Sequence, residues 1–254
     1  MSFVRNMPIW LQAGFWGLVA GSALLIGAFA GYAFSLPRRI IAGVMAFGSG
    51  VLISALSFDL MEEAYRRGGF MAAAEGFLIG ATVFTAVNLW LAARGAKHRK
   101  SSGDKQGKQD EAGLSIALGA LLDGIPESLV IGLSLLESKG VSTVAVVAVF
   151  LSNLPEGLSS SAGMKRAGRS RLYIFGLWGG IALSSGIAAM AGAALMEGAP
   201  ANLIASVTAT AAGAILAMLA DTMIPEAFEE AHDFAGLITV IGFLAAFALS
   251  KLGA

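Results

Sequence analysis

The chain has 254 residues, 56% of them hydrophobic and only 13% charged, with 33 glycines and a mean hydropathy of +0.75. A soluble domain carries about 25% charged residues and a disordered chain combines low hydrophobicity with high net charge, so both are excluded and an integral membrane protein remains. Lysine plus arginine balances aspartate plus glutamate at 17 each, so no excess charge points to nucleic acid, and the lack of cysteine removes disulfides, thiolate metal sites, iron-sulfur clusters and cysteine nucleophiles. Any metal site must be built from oxygen or from one of two histidines, His98 and His232.

In chain order, charge-free stretches run over Asn6 to Pro37, Ile40 to Phe58, Gly76 to Ala93, Gly140 to Pro155, Leu172 to Met196, Gly198 to Ala220 and Phe234 to Ser250. Most approach or exceed the roughly 18 residues expected of a transmembrane helix. Gly113 to Leu136 is apolar except for Asp123 and Glu127 and counts as a span with functional charges inside it. The pattern predicts an all-α membrane domain over 1–254 with eight helices near 8–35, 38–65, 69–94, 113–136, 141–164, 171–197, 201–227 and 233–252. Ala28-Phe29-Ala30 reads as a signal-peptide cleavage site, but the apolar run continues unbroken to Pro37, longer than the roughly 7–15 residues of a signal core. A retained first span is expected.

The one hydrophilic segment, Arg94 to Glu111, gives a polar loop over 95–112 between spans three and four. Placing it in the cytoplasm puts Arg38, Arg39, Lys165, Arg166, Arg169 and Arg171 on the same side, twelve of the 17 basic residues in all. The positive-inside rule and an even number of crossings then predict both termini outside the cytoplasm.

Two internal repeats are visible. Gly50 to Ala64 in the second span aligns without a gap with Gly213 to Ala227 in the seventh, although the two helices cross in opposite directions. Asp123-Gly-Ile-Pro126-Glu127 in the fourth span aligns with Ser152-Asn-Leu-Pro155-Glu156 in the fifth at an offset of 29. Antiparallel repeats of this kind are the sequence form of an inverted-repeat transporter, whose site lies at the repeat interface.

A carboxylate at mid-membrane costs about 2.5–3.5 kcal/mol on insertion scales, so Asp123, Glu127 and Glu156 must face a partner or water. Asp123 and Glu127 share one helical face by their four-residue spacing, as do Ser152 and Glu156. Gathered carboxylates repel unless a cation or protons sit among them, which suits a site that binds and releases a cation. The plainer alternative is two kinked helices whose glutamates bond each other across a bundle. Pro126 and Pro155 free the carbonyls of Leu122 and Leu151, and Asn153 offers another oxygen.

The two Pro-Glu motifs, the eight spans, the polar loop after the third and the outside termini together resemble the ZIP family of divalent-metal transporters, as a divergent bacterial-type member, over essentially the whole chain. The resemblance implies a 3+2+3 helix arrangement, a multi-pass protein of the cell (inner) membrane and a homodimer. It also implies inward movement of a divalent metal ion, zinc by family and Mn or Fe as alternatives, with no resident cofactor. The family motifs read His-Asn-x-Pro-Glu-Gly and His/Gln-Asn/Asp-x-Pro-Glu-Gly. Matched position by position, the metal ligands implied are Asp123, Glu127, Ser152, Asn153 and Glu156. Asp123 and Gly124 replace the first His-Asn, Ser152 replaces the next His/Gln, and the sixth-span carboxylate of many members falls near Ser184 or Ser185. The remaining donors are almost all oxygen, which favours Mg, Mn and Ca relative to an imidazole-rich site.

Further acidic residues are candidates for gates or relay steps: Asp59, Glu62 and Glu63 near the outer end of span two, Asp221 and Glu226 near the inner part of span seven, and His232 beyond it. A helix end solvated by water accounts for each of them equally well, and Arg66 and Arg67 beside Glu62 and Glu63 favour that account there. Two other functions compete. An intramembrane hydrolase using Asp59 and Asp221, or the central carboxylates, as an acid-base pair lacks any His-Glu-x-x-His, Gly-x-Ser-x-Gly or Gly-x-Gly-Asp stretch, so a non-enzyme is expected. The alternative is a ZIP-like protein that no longer transports and responds to protons.

Overall fold

The computed structural model describes residues 6–96, 110–137 and 142–252, and every regular element among them is helical. Helix α1 spans Ile9–Ala33 and α2 spans Arg38–Ala55, which runs through a π-helical turn (Leu56–Met61) into α3, Glu62–Leu91. Then come α4 (Asp110–Glu137), α5 (Thr143–Arg166), α6 (Arg171–Met196) and α7 (Ala201–Met218). A π-helical turn (Ala92–Ala96) follows α3, a further one (Leu219–Met223) joins α7 to α8, Ile224–Ala231, and α9 is Ala235–Leu252. Six apolar helical segments are long enough to cross a bilayer, the longest being the 57 residues of Arg38–Arg94, and Ala235–Lys251 is a shorter apolar helix. The chain is an all-helical, membrane-spanning protein. Most of the expected polar loop, 97–109, lies outside the described residues, as does Lys139.

Local sequence sets the helix ends. Pro8, Pro37 and Pro200 stand immediately before α1, α2 and α7, where a missing N–H costs nothing. Ser142 and Ser170 cap α5 and α6 by accepting the backbone N–H of Ala145 and Tyr173. Inside the 57-residue segment Gly69 has φ 71°, a left-handed conformation that breaks the helix, and the chain doubles back there so that Ala64 and Ala73 pack together against Ala209. Residues before and after Gly69 therefore run antiparallel.

Backbone-to-backbone approach through glycine decides which helices pair. A Cβ on Gly50 would strike the Thr239 carbonyl, and one on Gly242 the Phe47 carbonyl, which locks α2 to α9. In the same manner Gly80 meets Thr210 and Gly213 meets Phe77, locking α3 to α7. Gly27 and Gly31 bring α1 against Leu154 and Leu158 of α5, Gly17 and Gly21 bring it against α6, and Gly132 brings α4 against Ala189 of α6. In the pairs α1/α5, α2/α9, α3/α7 and α4/α6 the partner numbers rise together, so these helices are parallel, whereas α1 and α6 are antiparallel. Lipid offers no hydrophobic drive for helix association, and small residues that admit close contact take over that role.

Large apolar side chains such as Phe29, Phe70, Leu78, Leu195 and Leu237 point outward, as a lipid-facing surface requires. Trp10, Tyr65 and Trp90 lie near helix ends, with the Arg94 guanidinium 3.9 Å over the Trp90 ring. Arg38, Arg39 and Arg94 gather at the end of the bundle where Lys165 Nζ donates to the Tyr32 carbonyl, and the opposite end holds Arg66, Arg67 and Lys251.

Gly50→Val and Gly80→Val are each expected to destabilise the detergent-purified protein by about 1–3 kcal/mol, because a backbone carbonyl cannot yield. Gly176→Ala, with nothing within 4 Å of the new methyl, is expected to leave the melting midpoint unchanged. Thermal unfolding followed by tryptophan fluorescence checks both.

Candidate functional site

Helices α4 and α5 carry the buried polar residues of the protein's middle. Asp123 and Glu127 are each 1% exposed, and Ser152, Asn153 and Glu156 are 1%, 2% and 3% exposed. Pro126 and Pro155 sit inside continuous helices. The Leu151 carbonyl that Pro155 frees lies beside Gly48 of α2, which passes so close that a Cβ there would come within 2.9 Å of the proline ring.

Ser152 Oγ of α5 lies 3.4 Å from Glu127 Oε1 of α4, a polar contact between the two helices. Ser152 also donates to its own helix at the Val149 carbonyl, 2.9 Å away. Asp123 and Glu156 are buried and have interaction partners. Among the described residues no three His, Asp or Glu side chains stand close enough together to hold a metal ion. Four-residue spacing separates Asp123 from Glu127 by one helical turn, and like charges in a poorly solvating interior favour separate partners.

Asn153 points elsewhere. Its Nδ2 donates to the Ala20 carbonyl of α1 at 3.1 Å, at the same sequence separation of 133 as the Ser161 bond to the Ala28 carbonyl at 2.9 Å. Its amide nitrogen therefore fastens α5 to α1. Ser185 is 4% exposed, and its Oγ would lie 3.8 Å from a Cβ on Gly124, so the α6 position matched to the family's additional carboxylate does border the α4 motif.

The outlying acidic residues divide. Glu63 is paired with both Arg66 and Arg67, and Glu62 is exposed, in keeping with a solvated helix end. Asp59, at the first π turn, accepts from Ser250 Oγ of α9 at 3.1 Å through Oδ1, while its Oδ2 is shielded from solvent with no hydrogen-bond partner. Beside it lies a cavity of about 20 Å³, room for roughly one water, walled by Leu52, Leu56, Val130, Val149 and Ile215. Asp221, at the π turn of Leu219–Met223, is exposed and lies 3.4 Å from Asn88 Nδ2 of α3. Glu226 is half-buried in α8, and the side chain of His232 lies outside the described residues. The sequence reading did not find Ser250 and Asn88. Their separation of 162, equal to that of Gly242 and Gly80, was the available signal.

If Asn153 acts by tying α5 to α1, Asn153→Ala lowers the thermal midpoint by an amount equivalent to about 1–3 kcal/mol for the lost buried bond and leaves any cation-induced rise in midpoint intact. A loss of the cation response with unchanged stability would instead make Asn153 a ligand.

No family model matches this chain, and no curated protein matches it.

Proposed function

We propose that the protein is a secondary carrier for a divalent cation, with eight membrane crossings built as inverted repeats. The cation would bind between α4 and α5 at Glu127, Glu156 and Asp123, with Ser152 as a hydroxyl donor. The observation that carries this reading is the burial of three carboxylates, each 3% exposed or less, in the membrane-spanning middle of two adjoining proline-containing helices that touch through Ser152 and Glu127. Such groups are expensive in a bilayer and mark ion or proton pathways.

The helix directions support eight crossings. With a reversal at Gly69 and short turns at Phe34–Pro37, Ala167–Ser170 and Glu197–Pro200, successive helices alternate in direction. That alternation is the one in which α1/α5, α2/α9, α3/α7 and α4/α6 are parallel and α1/α6 antiparallel. The repeat is supported by paired features at a spacing of 162 or 163 residues: π turns beginning at Leu56 and Leu219, and glycine contacts at Gly50 and Gly213 and at Gly80 and Gly242. Basic residues concentrated at the Lys165 end support a cytoplasmic location for that end. Zinc is the metal of the family the motifs resemble; the oxygen-only donors here favour testing Mn and other hard ions beside it.

A second reading, a ZIP-like membrane protein that answers to protons and carries no metal, is favoured by one observation. No three acidic or histidine side chains among the described residues are gathered at metal-binding distance.

Thermal melts of the purified protein against Zn, Mn, Fe(II), Cd, Mg and Ca separate the two. A carrier is expected to gain several degrees with one of these ions, corresponding to about 2.7 kcal/mol at a hundredfold excess over Kd, and the Glu127→Gln, Glu156→Gln double variant is expected to lose that gain. Midpoints that move with pH and with no metal in either protein would replace this reading with the second.

A further inference from the structure

The two aspartates at the π turns hold hydrogen bonds that are copies of each other. Asp59 is bonded to Ser250 and Asp221 to Asn88, and both the acids and their partners are separated by 162 residues. Each bond joins a helix pair already locked by glycine, α2 with α9 and α3 with α7. Because the chain reverses at Gly69, α2 and α7 run in opposite directions, so the bonds lie at opposite ends of the bundle. A π turn interrupts the regular helical ladder and is a frequent mark of functional segments. Two such turns at matching places, each with a carboxylate held by a short polar side chain of the neighbouring helix, have no role in the binding site itself.

The two ends differ in one respect. At the Asp59 end the bond is 3.1 Å, and the space between it and Val149 is reduced to a cavity of about one water with apolar walls. At the Asp221 end the distance is 3.4 Å and the carboxylate is exposed to solvent. The carboxylate at one end is half-buried beside a small apolar cavity, and the one at the other end is exposed.

We propose that Ser250 and Asn88 are gate-positioning residues: Asp59–Ser250 latches the pathway shut at one end and Asp221–Asn88 at the other, and the structure holds both bonds, the Asp59 one being the shorter at 3.1 Å against 3.4 Å. This rests on the carrier reading, since two opposed latches of equal construction serve a molecule that opens its ends in turn. Neither pair needs to touch the cation. Each adds a bond in the state where its own end is closed, so removing one shifts the balance toward the state open at that end.

The chain contains no cysteine, so single-cysteine reporters can be placed without altering any native thiol. Val149→Cys lies in the wall of the Asp59-end cavity, and Ser160→Cys lies on α5 beyond Glu156, toward the Lys165 end. The rate at which a small water-soluble thiol reagent labels each reporter in the purified protein is compared with and without Ser250→Ala or Asn88→Ala. Removal of a single neutral or charge-assisted hydrogen bond shifts a two-state balance about three- to tenfold. Ser250→Ala is expected to speed Val149→Cys labelling by that factor and slow Ser160→Cys, and Asn88→Ala to do the reverse. Asp59→Asn, which keeps the shape of the side chain, serves beside Ser250→Ala, and only variants whose melting midpoint stays within a few degrees of the parent are scored. Rates unchanged within twofold, or both reporters moving in the same direction, would overturn the latches. The cation melts read the carrier hypothesis separately: opposite shifts in labelling with no cation response would leave a two-state protein whose cargo is not a divalent metal.

Discussion

Direct contact of helix backbones through glycine is the interaction on which this protein's architecture depends. In a bilayer an apolar side chain gains nothing by leaving lipid for protein, so close packing and buried hydrogen bonds must hold the helices together. Helix α1 illustrates the arrangement. Gly17 and Gly21 face α6, while Gly27 and Gly31 face α5, so one helix presents two glycine surfaces to two neighbours. The candidate site is held by the same means. Helices α4 and α5 touch each other only slightly; α4 is carried by α6 and α5 by α1, and the α1–α6 contact joins the two. The distance between Glu127 and Glu156 is therefore set by helices other than the two that carry them.

Polar groups inside this framework are bonded individually. Ser49, Ser128 and Ser152 return hydrogen bonds to carbonyls of their own helices, and Asn153 and Ser161 fasten α5 to α1. Each such bond avoids the desolvation cost of an orphaned donor in the interior. Among the described residues the exceptions include Trp178 Nε1, Thr208 Oγ1 and Asp59 Oδ2, which are shielded from solvent without a hydrogen-bond partner. Asp59 differs from the other two in carrying a charge-bearing group and in facing a space of water size.

Much of the helical layout was legible in the sequence because length and charge-free composition determine which segments can enter a bilayer. The break expected between residues 65 and 69 falls at Gly69, and the prolines at 8, 37 and 200 stand at the starts of helices. Burial of Asp123, Glu127, Ser152, Asn153 and Glu156 followed from their place in apolar spans. What the sequence concealed was the choice of partner. Its place one residue after Ser152 puts Asn153 on an adjoining face but does not say that its amide will bond Ala20, 133 residues away, and nothing local to Asp59 or Asp221 points to Ser250 or Asn88. The π turns were invisible for the same reason, since no residue type marks them as Gly69 marks the reversal. Periodicity reports the environment of a residue, whereas the identity of its neighbour depends on glycine contacts made between distant helices.

The parallel pairing of distant helices also sets an order of assembly during synthesis. The bonds that join α1 to α5 and α3 to α7 span 133 residues, and the one that joins α2 to α9 spans 191. A ribosome adds about 5–20 residues per second, so the first three helices wait on the order of ten seconds or more in the membrane before their glycine surfaces find a match. During that interval Gly27, Gly50 and Gly80 face lipid or the insertion machinery, and the π turn carrying Asp59 has no Ser250 to receive it. Helix α9 comes late: until it emerges, α2 is held through α5, α8 and the π turn at Leu219–Met223. A chain shortened before residue 235 would therefore keep most of its apolar mass and lose the lock that closes the bundle.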